Sequence, residues 1–222
     1  VDRSLARVHA ARMALHDDAD PRIRPLILAS DFAIEVCLRQ SALLPRLLAD
    51  DGAAPLQAPD LTAANRAEWP TLLRRYRQAE SVRLIWRDVH GLDTLDETLA
   101  ATTRLAEDCL QCALSALETE FAQRFGIVRG LEGRPVRLVV FALGKLGGGE
   151  LNVASDIDLI YLYPEEGDTA ADDPATPVRS LMAPIVSASG SVAAIGLPHH
   201  PSVAAGDAFG RRRRAAGPDA RR

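Results

Sequence analysis

The first half of the chain repeats apolar residues at spacings of three and four. Leu26, Phe32, Val36 and Leu43 form one series, and Trp69, Leu72, Leu73, Tyr76, Ala79, Val82, Trp86 and Val89 form a second. Both predict helices with one face on a core. Between them, Asp50-Asp51-Gly52 and the stretch from Pro55 to Pro59 predict a loop. A third helix has the clearest start signal. Thr94 followed three residues later by Glu97 is a capping box, in which each side chain satisfies a free backbone N–H of the other residue. Its stripe runs Leu95, Leu99, Leu105, Cys109, Leu110, Ala113, Leu117 and Phe121, and Gly126 is placed to end it.

At Val136 the period changes. Val136 to Leu143 is a short, β-rich apolar run bounded by Pro135 and Gly144, the pattern of a buried strand. A glycine-rich turn follows, Gly144-Lys145-Leu146-Gly147-Gly148-Gly149, and then a second strand from Ile157 to Tyr163, closed by Pro164. After Asp173 apolar spacing is irregular, and Pro177, Pro184, Pro198, Pro201 and Pro218 interrupt any helix or central strand. The expected class is α+β, with a helical region over 1–130, a mixed region over 131–173 and a poorly ordered basic tail over 174–222.

Composition sets the outer bounds. With 222 residues, 47% of them apolar, the chain is long enough for one or two domains with a core. No run approaches the ~18 consecutive apolar residues of a membrane-spanning helix, and the N-terminus lacks a signal-peptide layout, so the expectation is a cytoplasmic protein with no membrane partner. Cys37, Cys109 and Cys112, an odd number, argue for reduced thiols. A start at Val1 rather than Met reads either as a start codon taken literally or as a fragment of a longer chain.

Charge is unevenly spread. Residues 1–173 hold 28 acids against 19 bases, whereas the last 49 residues hold 7 bases against 2 acids, with Arg211 to Arg214 in a row. The acidic first part lacks interleaved aromatics, which argues against nucleic acid as a partner. Lys145 is the only lysine.

The candidate chemistry lies behind the glycine turn. Asp156-Ile157-Asp158 places two carboxylates at i and i+2, on one face of a strand, close enough to hold one or two divalent ions. Like charges this close repel unless a cation neutralises them, so the pair reads as a Mg²⁺ site. The glycines give backbone N–H groups room to approach a phosphate, and Lys145 adds a point charge. These are parts for phosphoryl or nucleotidyl transfer. A glycine turn or a D-x-D alone is most often structural; the order strand, Gly-Gly turn, Ser155-Asp156-Ile157-Asp158, strand is far more specific. It is neither a P-loop, since Leu146 follows Lys145, nor a dinucleotide fingerprint, since G-x-G-x-x-G is absent.

The remaining motifs read as structural. Cys109-Leu110-Gln111-Cys112 lies mid-helix without a second pair, so it is expected to be a buried face. His199-His200 has no Cys or carboxylate partners nearby. Trp69 and Trp86 fit core spacing. Arg74, Arg75, Arg77, Arg83 and Arg87 are expected to form one solvated basic face, with a protein contact as the competing reading.

The segment Gly144 to Pro164 closely resembles the signature of the glutamine synthetase adenylyltransferase family, and Leu72 to Asp88 is similar to the helix preceding that family's N-terminal catalytic core. The resemblance covers roughly residues 20–170. It implies a partial nucleotidyltransferase core of the DNA polymerase β type over 131–173. The Glu150-Leu151-Asn152 after the glycines is more like the N-terminal, adenylyl-removing domain, in which phosphate attacks the adenylyl-tyrosine bond and ADP leaves. The forward reaction, AMP from ATP to the tyrosine, belongs to a C-terminal domain outside this chain. By resemblance, Asp156 and Asp158 ligate Mg²⁺ and are catalytic, Gly147, Gly148 and Ser155 hold phosphate groups, and Lys145 is an electrostatic helper. Glutamine synthetase, ATP, ADP, phosphate and the PII signalling protein are the implied partners.

One part of the family pattern is missing. The resemblance implies a third carboxylate on a later strand, in an Arg-x-Asp-x-Arg-Leu-Arg-Pro-like context, and after Asp173 the only acids are Asp207 and Asp219, among Gly, Pro and Arg. The expectation is therefore a chain inactive, or nearly so, on its own. The loss of pattern, the arginine run and the charge reversal point to a reading-frame shift near residues 170–180; a natural basic tail that binds an acidic partner is the competing reading.

Overall fold

A computed structural model describes residues 20–153 and 155–163, and the backbone of Asp168 and Thr169. Helix α1 is Ile23–Ala29, α2 Asp31–Arg39 and α3 Leu43–Asp50. The first apolar series is thus three helices. Ser30 breaks it: its backbone is extended, and its hydroxyl accepts the Ala33 N–H at 3.1 Å, capping α2. The three short helices nevertheless share a core, in which Leu26, Ala33, Val36, Leu43 and Leu47 meet Ala79, Val82 and Trp86.

The latter three belong to α4, Trp69–Val89, which is led in by a 3-10 turn over Ala63–Glu68. The long helix α5, Leu95–Phe125, runs back along it. Trp69 clusters with Ala116 and Leu117, Leu73 with Ala113, and Leu84 with Leu105 and Cys109, so numbers rise on one helix as they fall on the other. The capping box closes as its sequence predicts. The Thr94 N–H donates to Glu97 Oε2 at 2.7 Å, and the Glu97 N–H donates to Thr94 Oγ1 at 3.3 Å. Gly126, at φ +83°, stands at the other end.

Two expectations about faces are corrected. Leu95 is 69% exposed, because the first turn of α5 precedes the point where α4 covers it. The five arginines of α4 do not share a face. Arg83 is buried, with Glu80 Oε1 at 2.6 Å from Nη2 and the Gly52 carbonyl at 2.7 Å from Nη1. Arg87 binds Asp93, Arg77 is half-buried against Cys109, and only Arg74 and Arg75 are exposed. A 3.6-residue period carries both sides of a helix, so a list of arginines alone cannot separate them.

The second half adds two small antiparallel pairs. Strand β1, Val128–Arg129, pairs with β4, Asp168–Thr169; β2, Val139–Ala142, pairs with β3, Leu159–Leu162. The described fold is therefore α+β, mostly helical with small sheets. Both central strands are shorter than their apolar runs. The Val136 N–H is drawn to the Val128 carbonyl at 2.9 Å, away from the β2–β3 ladder. Among the described residues no helix is long and apolar enough to cross a membrane. The tail expected over 174–222, with His199, His200, Asp207 and Asp219, lies outside the described residues.

The buried pair Arg83–Glu80 ties the 50–56 loop to α4, since Glu80 Oε2 also accepts the Leu56 N–H at 3.0 Å. Glu80→Ala leaves the guanidinium buried and unpaired, so urea titration is expected to show a loss of about 3 kcal/mol. A second expectation concerns acid. The Arg87 guanidinium holds the Asp93 carboxyl below the usual carboxylate range. Its stabilisation is present above the unfolded value of about pH 4 and is lost as pH falls through the lower folded value. Asp93→Asn should flatten that part of the acid limb of stability against pH, measured by thermal unfolding.

Candidate functional site

The glycine-rich segment begins as one helical turn. Helix α6, Gly144–Gly147, follows β2 directly, and the chain leaves it through Gly149 at φ +75°. The Glu150 N–H donates to the Lys145 carbonyl at 2.8 Å, and the Gly149 N–H to the Leu146 carbonyl at 3.2 Å. That crossed pair is a Schellman cap, which places a left-handed residue at Gly149. Gly147 is required for a different reason. A Cβ there would stand 2.4 Å from the Ala142 carbonyl oxygen, so the turn can pack on the end of β2 only without a side chain. The Gly147 and Gly148 N–H groups donate to the Leu143 and Gly144 carbonyls, at 3.2 and 3.0 Å.

Beyond the turn, burial alternates. Ser155 and Ile157 point inward, and Asp156 and Asp158 outward. The aspartates lie just before β3, and the Asp158 carbonyl accepts the Leu143 N–H at 2.9 Å, which continues the β2–β3 ladder by one bond. They share one exposed face, as expected from spacing of two. Among the described residues neither carboxylate has an ion pair or hydrogen bond.

Ile157, 1% exposed, joins the halves of the motif. It packs with Leu146 of the turn, Leu151, and Ala106 of α5. Since Lys145 and Gly147 flank Leu146, and the two aspartates flank Ile157, this contact brings the glycine turn and the acidic pair together. The Leu151 N–H also donates to Thr103 Oγ1 of α5 at 3.1 Å, fixing the assembly to the long helix. Lys145 is exposed. The Ser155 hydroxyl donates to Asn152 Oδ1 at 2.7 Å, and its N–H to the Asn152 carbonyl at 3.1 Å. Asn152 and Thr103 are thus positioning residues to which sequence reasoning gave no role. Asn152 stands in the Glu-Leu-Asn run, a usable signal; Thr103 carries none.

Two hard-oxygen carboxylates on one face, with no cationic side chain paired to them among the described residues, fit Mg²⁺, which keeps several waters and takes only one or two protein carboxylates beside substrate phosphates. Among the described residues no cluster of three or more His, Cys, Asp or Glu could hold a metal. A groove of about 430 Å³ lies elsewhere, between the 59–63 loop and α5, lined among others by Trp69, Ser115, Thr119 and Glu120, and no residue of the motif lines it. Cys37, Cys109 and Cys112 are free thiols, and burial pushes Cys37 up to about 11 and Cys109 up to about 12.

The sequence model of the glutamate–ammonia ligase adenylyltransferase family matches residues 21–180. The chain belongs to that family. Among its relatives, the bifunctional glutamine synthetase adenylyltransferase/adenylyl-removing enzyme of Stenotrophomonas maltophilia (strain K279a) is 52% identical over 170 residues, covering 76% of this chain and 18% of the relative. The enzyme of the same name from Xanthomonas oryzae pv. oryzae (strain MAFF 311018) is 51% identical over 173 residues, with 76% and 18% covered. That of Stenotrophomonas maltophilia (strain R551-3) is 48% identical over 178 residues, with 78% and 19% covered. This adenylyltransferase-family chain spans less than a fifth of the length of these relatives.

The glycines of the turn are unequal. Gly147→Ala is expected to destabilise the motif, with faster hydrogen exchange at the Leu151 amide, because the added Cβ meets backbone. Gly148→Ala, whose Cβ would meet nothing closer than 3.6 Å, should leave exchange and thermal midpoint unchanged.

Proposed function

We propose that the chain is a fragment of the adenylyl-removing part of a bifunctional glutamine synthetase adenylyltransferase, with a partial nucleotidyltransferase core of the DNA polymerase β type. The reaction is phosphorolysis. A phosphate oxygen forms a bond to the phosphorus of the tyrosine–AMP linkage, the bond from phosphorus to the tyrosine oxygen breaks, that oxygen takes a proton, and ADP leaves. The observation that carries this reading is the pair Asp156 and Asp158, outward on one face and joined to the glycine turn through Ile157 and Leu146.

Asp156 and Asp158 would hold Mg²⁺, which when bound supplies positive charge to the phosphate oxygens during an in-line displacement. Lys145 adds a cation on the solvent side of the turn and steers an anionic substrate toward it. The resemblance has Gly147, Gly148 and Ser155 hold phosphate groups; because the Gly147 and Gly148 N–H groups donate to the Leu143 and Gly144 carbonyls and the Ser155 hydroxyl donates to Asn152 Oδ1, their part in this reading is an approach free of side chains and the backbone from which Asp156 projects. Glutamine synthetase, its nucleotides, phosphate and the PII protein are the partners this reading carries over from the resemblance, in a cytoplasmic role regulating nitrogen assimilation. A second reading, a catalytically inactive binding or regulatory module of the same fold, is favoured by the absence of a third metal-ligating side chain among the described residues.

The test is ADP release from adenylylated glutamine synthetase in the presence of phosphate and Mg²⁺. The 222-residue chain alone should release none above background. A chimera whose residues 1–180 continue into the remainder of the Stenotrophomonas enzyme should release ADP, and Asp156→Asn or Asp158→Asn in it should cost about a hundredfold or more. Robust release by the 222-residue chain alone would overturn the fragment reading. An active chimera indifferent to both substitutions would overturn the assignment of the aspartates.

A further inference from the structure

Of the 26 lysines and arginines in the chain, only Lys145 is a lysine, and it stands in the glycine turn. A cation needed only for its charge can be either residue, and everywhere else this chain uses arginine. The two differ in what more they offer. A guanidinium does not give up its proton in proteins, whereas an ammonium can, from a compact centre on a flexible four-carbon stem.

The proposed phosphorolysis has a use for such a proton, because the tyrosine oxygen must take one as its bond to phosphorus breaks. Lys145 is placed to supply it. It stands two residues past Leu143, whose N–H donates to the Asp158 carbonyl at 2.9 Å, and next to Leu146, which packs with Ile157 between the two aspartates. Its side chain is exposed, and among the described residues no ion pair engages it. The other titratable side chains from the turn to the end of the motif are Glu150, Asp156, Asp158, Tyr161 and Tyr163. Three are carboxylates, which in their ordinary ionised form only accept hydrogen bonds. The Tyr161 hydroxyl is buried, and Tyr163 clusters with Phe121, Val128 and Leu138. The Ser155 hydroxyl is engaged by Asn152 Oδ1 at 2.7 Å.

We propose that Lys145 is the proton donor to the departing tyrosine oxygen, so that one side chain both draws in the anionic substrate and completes the release of the leaving group. The inference rests on the phosphorolysis reading. As the attacking phosphate oxygen bonds to phosphorus, the bond to the tyrosine oxygen breaks, and the electron pair left on that oxygen takes a proton from the ammonium. The neutral amine regains a proton from water. A tyrosine hydroxyl and a lysine ammonium have ordinary pKa values of about 10 and about 10.4, so the transfer is close to balanced.

The test uses the chimera of residues 1–180 with the remainder of the Stenotrophomonas enzyme, on adenylylated glutamine synthetase carrying either natural tyrosine or a more acidic fluorinated tyrosine. Lys145→Arg keeps the charge and removes the transferable proton. It should slow ADP release from the natural substrate about a hundredfold or more, and the penalty should shrink about tenfold on the fluorinated one, whose phenolate leaves more readily without a proton. In Lys145→Ala, added ethylamine should restore release and added guanidine should not. An active chimera in which Lys145→Arg costs nothing, or costs the same on both substrates, overturns the inference and leaves the phosphorolysis reading standing. So does equal rescue of Lys145→Ala by guanidine and ethylamine. A chimera that releases no ADP with Lys145 intact overturns the phosphorolysis reading, and this inference with it.

Discussion

Ile157 packs on Leu146 and Leu151 against Ala106 of the long helix, and the arrangement of the site depends on that contact. Aspartates at i and i+2 need an inward residue between them to give the strand a floor. Ile157 is that residue, and Leu146 gives the glycine turn the same floor. Without the shared anchor, Lys145 and the two carboxylates would be exposed side chains on separate loops. The Gly147 requirement follows from it, because drawing Leu146 onto α5 presses the turn against the Ala142 carbonyl, where only hydrogen fits.

The helical layer exists to hold α5 in place. Leu105, Cys109, Ala113 and Ala116 meet α4, while Thr103, Ala106 and Leu110 meet the turn and β3, so α5 is a two-sided wall. The three short helices pack on α4, which in turn packs on α5. Their loop is tied down by the buried Arg83–Glu80 pair, whose hydrogen bonds to Gly52 and Leu56 replace the water that two buried charges lose. An element this far from the aspartates thus contributes through packing.

Much of the candidate site's geometry was legible in the sequence, because local spacing sets it. The capping box at Thr94 and Glu97, the glycine turn and the outward pairing of Asp156 and Asp158 follow from offsets of three, one and two residues. What was not legible depends on what lies opposite. Ser30 separates the first helix from the second because its hydroxyl caps the second, and nothing in the spacing of Leu26, Phe32, Val36 and Leu43 reveals it. Arg83 and Arg74 sit on one helix in similar sequence, yet one is buried on Glu80 and the other exposed. Phe141 and Ile160 read as core residues of a buried strand, and in this chain they face outward.

In the proposed function the two aspartates act together on a divalent cation. Water-proton relaxation by Mn²⁺, which substitutes for Mg²⁺ at oxygen sites, measures it on the 222-residue chain without substrate or catalysis. A bound, relaxation-enhancing Mn²⁺ is expected, and it should disappear in the Asp156→Asn, Asp158→Asn double variant while far-UV circular dichroism stays unchanged. Equal enhancement in both proteins, or none in either, would contradict it.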